Sequence, residues 1–151
     1  MLYAAIPFGI LALVLFVRSR VAHEWQIDPS EISRVISKLE ASRSTPAWAQ
    51  IIAETRSGVP ESAVALDYAI THGQLEFNWC LLAPMNIQDK PQVLEYFSKN
   101  GYSALELVAE NGCPLIKVSG PNLKSLANGI LEDVYQHQGP LTLIGEGFEW
   151  P

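Results

Sequence analysis

The sequence has little of what most metal-binding and redox sites require. It contains two cysteines and three histidines in 151 residues. The histidines (His23, His72 and His137) lie far apart, and none has a cysteine or acidic neighbour at the spacing of zinc ligands. Two cysteines are typical of a reducing compartment, where thiols usually serve as small buried apolar groups. The sequence therefore predicts no metal site, no cofactor and no disulfide.

Basic side chains are scarce in the later part of the chain. Residues 61–151 hold four Lys and Arg against eleven Asp and Glu, whereas residues 1–60 hold six against five. Such an acidic balance disfavours binding to nucleic acid or to anionic lipid, and it favours a protein partner with a basic surface. Near the start of the chain, basic residues favour the membrane surface instead: Arg18, Arg20, Arg34, Lys38 and Arg43.

Charged side chains are absent from residues 1–17, and Arg18 and Arg20 follow at once. As a helix this run would be about 25 Å long, the short end of what spans a bilayer. A cleaved signal peptide is disfavoured because only Met1 precedes the run and Val17-Arg18-Ser19 is a poor cleavage site. We therefore expect residues 1–22 to be a transmembrane helix of the bacterial inner membrane. The positive-inside rule places the N-terminus outside and the rest in the cytoplasm.

Residues 23–57 are predicted to be a juxtamembrane helical segment. A short connector at His23–Ile27 precedes a helix start at Asp28-Pro29, which combines an Asp cap with Pro at the first helical position. Four apolar residues then recur at helical spacing: Ile32, Val35, Ile36 and Leu39. A shorter second helix is expected near Trp48, although the alternation there also allows a strand.

Residues 58–151 are predicted to form an α+β domain. Two strands joined by a turn, then a helix, occur twice in this part, and a short final strand follows. The strands are expected at residues 64–70, 75–81, 104–109, 115–118 and 141–144, and the helices from Asp89 to Asn100 and from Pro121 to Val134. This order, ββαββαβ, predicts a mainly antiparallel sheet of four to five strands with helices on one face.

Two arrangements of side chains would suit a small hydrolase-like enzyme. Cys80 lies on a strand that pairs with the strand ending at His72, as a thiol nucleophile and its base would require. Alternatively, a carboxylate pair for acid–base chemistry would form if the last strand pairs with the second hairpin; its members would come from Glu106, Glu110, Glu146 and Glu149. Neither thiol has a helix start or a cation beside it, so we favour a protein without catalytic residues.

The C-terminal residues favour an interaction surface. Phe148 and Trp150 are large rings that alternate with the carboxylates of Glu146 and Glu149. Aromatic anchors beside acidic groups would bind a basic protein partner if the rings are exposed. The alternative is that both rings fold back onto the sheet.

The later part of the chain resembles a small bacterial α+β domain family. The residues that carry the resemblance are Glu110–Gly120, Asn122–Ala127, Ile130–Tyr135 and Gly145–Trp150, within roughly the last 70 residues. The resemblance implies the hairpin–helix–strand order. It implies no active-site residue, because that family has no known activity.

These observations predict a non-enzymatic protein-interaction module anchored at the cytoplasmic face of a bacterial membrane. An immunity-type protein and an accessory subunit of a membrane or secretion complex are two versions of this prediction. The surfaces of first interest are the exposed edge of the sheet and the C-terminal tail. The small hydrolase-like enzyme is the alternative.

Overall fold

The structure is a computed structural model that describes residues 22–56, 58–59, 62–81 and 83–151. Seven strands form one sheet, and each strand runs antiparallel to its neighbours. They are β1 (His23–Ile27), β2 (Trp48–Glu54), β3 (Ala63–Thr71), β4 (Gln74–Cys80), β5 (Ser103–Val108), β6 (Pro114–Ser119) and β7 (Leu141–Glu146). Their order across the sheet is β1-β7-β2-β3-β4-β6-β5.

The described residues form three α-helices, namely α1 (Ile32–Glu40), α2 (Pro84–Lys99) and α3 (Leu126–Gly129). The third continues into a π-helical turn at Ile130–Val134, and short 3₁₀ turns precede α1 and α3. The predicted α+β class and the antiparallel sheet are confirmed. From β3 onward the chain follows the predicted ββαββαβ order.

The predicted number of strands, four to five, is wrong, because β1 was not expected and β2 was only the alternative to a second helix. Residues 23–27 form an edge strand on β7 rather than a connector. Residues 48–54 form a strand between β7 and β3 rather than a helix. Since β2 is buried on both faces, its apolar residues do not alternate clearly with polar ones. The sheet thus includes strands from both sides of the predicted boundary at residue 58.

The start of α1 agrees with the sequence pattern, whereas the start of α2 does not. Asp28 precedes Pro29, and the Glu31 carboxylate accepts a hydrogen bond from the Asp28 N–H at 2.9 Å. Helix α2 begins at Pro84, five residues before the predicted start at Asp89. The Asn86 side chain caps it by accepting from the Ala83 N–H at 2.9 Å. An Asn capping from three residues inside the helix is a weaker sequence pattern than Asp-Lys-Pro.

One face of the sheet, called here the helix face, packs against the three helices. Inward-pointing residues of β3 and β4, including Tyr68, Phe77 and Trp79, belong to the same buried cluster as the apolar stripe of α1. The Tyr68 hydroxyl joins the sheet to α3, because it donates to the Leu123 carbonyl at 2.7 Å and accepts from the Ala127 N–H at 3.1 Å. This face forms the main hydrophobic core.

The opposite face, called here the open face, carries a second apolar cluster made only of strand residues. Its buried members are Trp48, Ile52, Ala65 and Cys80, and Ala63, Ala69 and Ile144 pack against them. No residue of a described helix belongs to this cluster.

The predicted transmembrane helix lies outside the described residues, apart from Ala22. Within the described part of the chain, no helix combines the length and the apolar character that crossing a membrane requires.

Candidate protein interface at the sheet edge

Strand β5 is the most exposed strand of the sheet. It lies at one end of the strand order and pairs with β6 on one side. No strand in the described ranges pairs with its other side. All six of its residues are exposed. Backbone N–H and C=O groups along this free side are therefore available to another strand.

The hairpin that joins β5 to β6 shows which backbone groups point outward. The Ala109 N–H donates to the Cys113 carbonyl at 2.9 Å, and the Gly112 N–H donates to the Ala109 carbonyl at 2.8 Å. In an antiparallel pair, every second residue bonds to the neighbouring strand. Counting back from Ala109, the outward N–H and C=O groups belong to Ala104, Glu106 and Val108. Three residues of β5 can thus pair with a partner strand.

The side chains of β5 are unusually apolar for an edge strand. Leu105 is 58% exposed and Leu107 is 41% exposed, and both lie on the open face, opposite Lys117 and Leu115 of β6. Val108 is 72% exposed on the other face. Edge strands of soluble proteins usually carry charges that prevent pairing. The apolar side chains of β5 do not give this protection.

Glu106, the one charged residue of β5, forms an ion pair with a lysine of the same domain. Glu106 accepts an ion pair from Lys90 of α2, with 2.7 Å between Nζ and Oε1. Ile87 lies one helical turn from Lys90 and is 58% exposed. The exposed surface, called here the β5 edge, comprises Leu105, Leu107 and Val108.

The opposite edge of the sheet is more polar. Strand β1 exposes His23, Glu24 and Gln26, and its two apolar side chains point toward the core. A charged, short edge strand is a common protection against pairing. This contrast between β1 and β5 singles out β5 as the side suited to bind another strand.

The four predicted partner-binding residues of the C-terminal tail lie on different faces. Phe148 and Trp150 are half-buried and pack against the main core on the helix face. Glu146 lies on the open face, where its carboxylate accepts a hydrogen bond from Trp48 Nε1 at 3.2 Å. Glu149 is exposed. The structure therefore separates Glu146 from the two rings, and partner binding by these residues stays a prediction.

Basic residues of α1 hold the tail in place. The Arg34 guanidinium lies 4.4 Å from the centre of the Trp150 ring, and Lys38 Nζ lies 5.8 Å from it. Lys38 also donates to the Pro151 carbonyl at 2.9 Å. Phe148 packs on Trp25, with 5.8 Å between ring centroids. Arg34 and Lys38, which the charge pattern assigned to the membrane surface, thus contact the chain's own C-terminus.

The two predicted catalytic arrangements are not formed. Cys80 pairs with Ala65, while His72 is at the hairpin tip beyond the Thr71–Gln74 pair. Six residues of strand separate them, about 20 Å at 3.4 Å per residue. Cys80 is buried on the open face. The other thiol, that of Cys113, has a raised pKa because it is partly buried and because the Asp67 carboxylate lies near it. A raised pKa disfavours the reactive thiolate.

The predicted convergence of carboxylates is wrong because β7 does not pair with the second hairpin. It pairs with β1 and β2, so Glu146 and Glu106 lie five strand spacings apart. That separation is about 24 Å. Among the described residues, no group of three His, Cys, Asp or Glu side chains could hold a metal ion.

One buried ionic cluster lies between α2 and the turn after α3. Asp89 is buried, and its carboxylate accepts from Arg56 at 2.8 Å and from the Tyr135 hydroxyl at 3.1 Å. Burial and the nearby Asp89 charge raise the pKa of Tyr135. Both carboxylate oxygens are thus occupied by neighbours within the domain. We interpret this cluster as structural, since it joins three parts of the chain.

Two surface clefts meet at His137. The larger, about 590 Å³, lies between β1, β2 and β7 and includes Gln26, Ile52 and Thr142. The smaller, about 370 Å³, lies between Asp28 and the last helical turn. Their mixed polar and apolar linings contain no acid–base pair with a bonded geometry.

Comparison with known proteins identifies no relative: no family model, curated protein or solved structure matches this chain.

Proposed function

We propose that this protein is a non-enzymatic interaction module that binds an extended segment of a partner protein along the β5 edge. The observation that carries the proposal is an edge strand whose six residues are all exposed, including two leucines and a valine. Addition of a strand to such an edge uses backbone hydrogen bonds for affinity and alternate side chains for specificity. An immunity-type protein or an accessory subunit of a membrane or secretion complex would use the surface in this way.

The site of action is the second part of the proposal. Residues 1–22 anchor the module in a bacterial inner membrane, with the sheet on the cytoplasmic side. The support is the uncharged run of residues 1–17 followed by Arg18 and Arg20. Anchoring raises the effective concentration of the module near membrane partners. The acidic balance of residues 61–151 favours partners with a basic surface.

The C-terminal tail is proposed as an additional contact for a basic partner, with Glu146, Phe148, Glu149 and Trp150 as its residues. Because the two rings support the core, their removal would confuse binding with stability. Glu149→Lys is the sharper variant, since Glu149 is exposed. It is expected to weaken partner binding and to leave the melting temperature unchanged.

The test of the β5 edge is a pull-down of the full-length protein in mild detergent, with bound proteins identified by mass spectrometry. The variant Leu105→Lys/Leu107→Lys places two charges on the edge. Val59→Lys is the matched control, because Val59 is 44% exposed and lies in the loop between β2 and β3. The edge variant is expected to lose the partner and the control to retain it. Retention of a stoichiometric partner by both variants would refute the proposal.

A further inference from the structure

The outward hydrogen-bonding groups of β5 form a self-complementary set. They belong to Ala104, Glu106 and Val108. If two copies of β5 run antiparallel about a two-fold axis, these residues can exchange hydrogen bonds, because both members of a bonded pair point their N–H and C=O groups at the other strand. With Glu106 on the axis all three take part, since Ala104 then pairs with Val108 of the second copy. An axis at Leu105 or Leu107 leaves one of the three outside the pairing.

The same register brings the apolar side chains of the two strands together. Leu105 of each copy lies opposite Leu107 of the other on the open face, and Ala104 lies opposite Val108 on the helix face. In the described part of the chain, Leu105, Leu107 and Val108 are among the few large apolar side chains that are exposed. Apolar pairs directly opposite each other stabilise an antiparallel sheet. Self-pairing would thus remove from water the side chains that distinguish β5 from β1.

The charges near the axis also permit self-pairing. Two Glu106 carboxylates directly opposite each other would repel, which destabilises a strand pair. In each copy, however, Lys90 Nζ of α2 lies 2.7 Å from Glu106 Oε1. The axis would therefore carry two carboxylates and two ammonium groups, with no net charge. An unpaired Glu106 would favour a basic strand at this position, whereas the ion pair with Lys90 also accommodates a second copy.

We propose that two copies of this chain pair through their β5 strands, antiparallel and with Glu106 on the two-fold axis, when no other partner occupies the edge. The two seven-stranded sheets then join into one continuous sheet. Such pairing protects an apolar edge from indiscriminate addition of other strands. One consequence rests on the proposed function: a partner segment has to displace the second copy, because both use the same backbone groups.

A cysteine on the axis tests the register in the full-length protein. The variant Glu106→Cys is made in a Cys113→Ser background, which leaves only the buried Cys80 besides, and a mild oxidant is added in mild detergent. A disulfide-linked dimer is expected, because Cα atoms of a hydrogen-bonded antiparallel pair lie about 5.5 Å apart, within reach of a disulfide. Ser103→Cys is the matched control on the same exposed strand. It is expected not to form the dimer, since the two copies of residue 103 would lie about 20 Å apart.

A second pair of variants keeps the ion pair between Glu106 and Lys90 intact. Leu105→Cys and Leu107→Cys chains, in the same background, are oxidised separately and as an equal mixture. The mixture is expected to form a dimer that joins one chain of each kind, because these positions lie opposite each other with Cα atoms about 4.5 Å apart. No dimer from Glu106→Cys or from the mixture would overturn the proposal. A dimer yield from Ser103→Cys equal to that from Glu106→Cys would also overturn it, since the contact would then have no defined register.

The pull-down described above separates this proposal from the proposed function. If no disulfide dimer forms but Leu105→Lys/Leu107→Lys loses its partner, self-pairing is refuted and the proposed function stands. The oxidised Glu106→Cys dimer is expected to capture no partner, and reduction of its disulfide is expected to restore capture. An oxidised dimer that retains the partner would show that the partner binds elsewhere, which refutes the proposed function and leaves self-pairing standing.

Discussion

Replacement of Tyr68 by Phe tests how α3 is attached to the sheet. The Tyr68 hydroxyl makes two hydrogen bonds, to the Leu123 carbonyl at 2.7 Å and from the Ala127 N–H at 3.1 Å. Ala127 is fully buried and lies in the first turn of α3, where a backbone N–H has no partner within the helix. Burial raises the pKa of Tyr68, in agreement with a hydroxyl that water does not reach.

The expected change in the free energy of unfolding depends on which hydrogen-bonding groups Tyr68→Phe leaves unpaired. Leu123 is a half-buried residue, whereas Ala127 is fully buried, so the Ala127 N–H cannot gain water in place of the lost hydroxyl. An unpaired buried N–H costs about 1–3 kcal/mol, so Tyr68→Phe is expected to lower the free energy of unfolding by that amount. Tyr102→Phe is the control, because its hydroxyl donates to the neighbouring Asn122 carbonyl at 2.8 Å in an exposed position. An exposed change of this kind is expected to alter stability by about 0.5 kcal/mol or less.

The assay is urea unfolding of both variants and the parent protein, followed by tryptophan fluorescence. The midpoint is expected to move for Tyr68→Phe without a change of slope, since the surface exposed on unfolding is the same. Equal stability of the two variants, within experimental error, would refute the argument that Tyr68 holds α3 on the sheet.

Three other predictions concern the tail, two tyrosines and the thiol of Cys113. Trp150→Ala is expected to lower the free energy of unfolding by about 1–2 kcal/mol, because the half-buried ring packs on the core and on Arg34; an unchanged urea midpoint would contradict this. Tyr68 and Tyr135 keep their protons above pH 10.0, the ordinary pKa, whereas the unfolded chain loses them. Stability is therefore expected to be full below that pH and to fall above it, which urea unfolding at increasing pH will measure. In a Cys80→Ser background, Cys113 is expected to alkylate more slowly than a cysteine peptide, and its rate is expected to keep rising beyond pH 9.0. A rate equal to the peptide's at every pH would contradict the raised pKa.

Local patterns predicted the elements whose apolar residues face one side only. The stripe Ile32, Val35, Ile36 and Leu39 is fully buried, as helical spacing implies. The hairpin of β3 and β4 turns at His72-Gly73, where both residues have positive φ. Strand β2 was not predicted with certainty, because burial of both faces removes the alternation by which a strand is recognised.

The candidate site depended on contacts between distant parts of the chain. The sequence indicated a strand near residues 104–109, but not that it lies at the edge of the sheet. Its apolar residues occur on both faces, but a buried central strand has the same pattern, so this pattern did not indicate an edge strand. The carboxylates were misplaced for the same reason, since the pairing of β7 with β1 and β2 leaves Glu146 far from Glu106.

The sequence by itself determined the α+β class, the first helix, the two hairpins and the uncharged character of residues 1–17, because these depend on short-range periodicity and composition. Only the tertiary structure decided that the sheet has seven strands and that β5 is an exposed strand at its edge. It also decided that Trp48, Gln50 and Asp67 are buried on the face away from the helices. The physical reason is that strand order and burial arise from long-range pairing, and the same alternating segment fits an edge or a centre equally well until its neighbours are known.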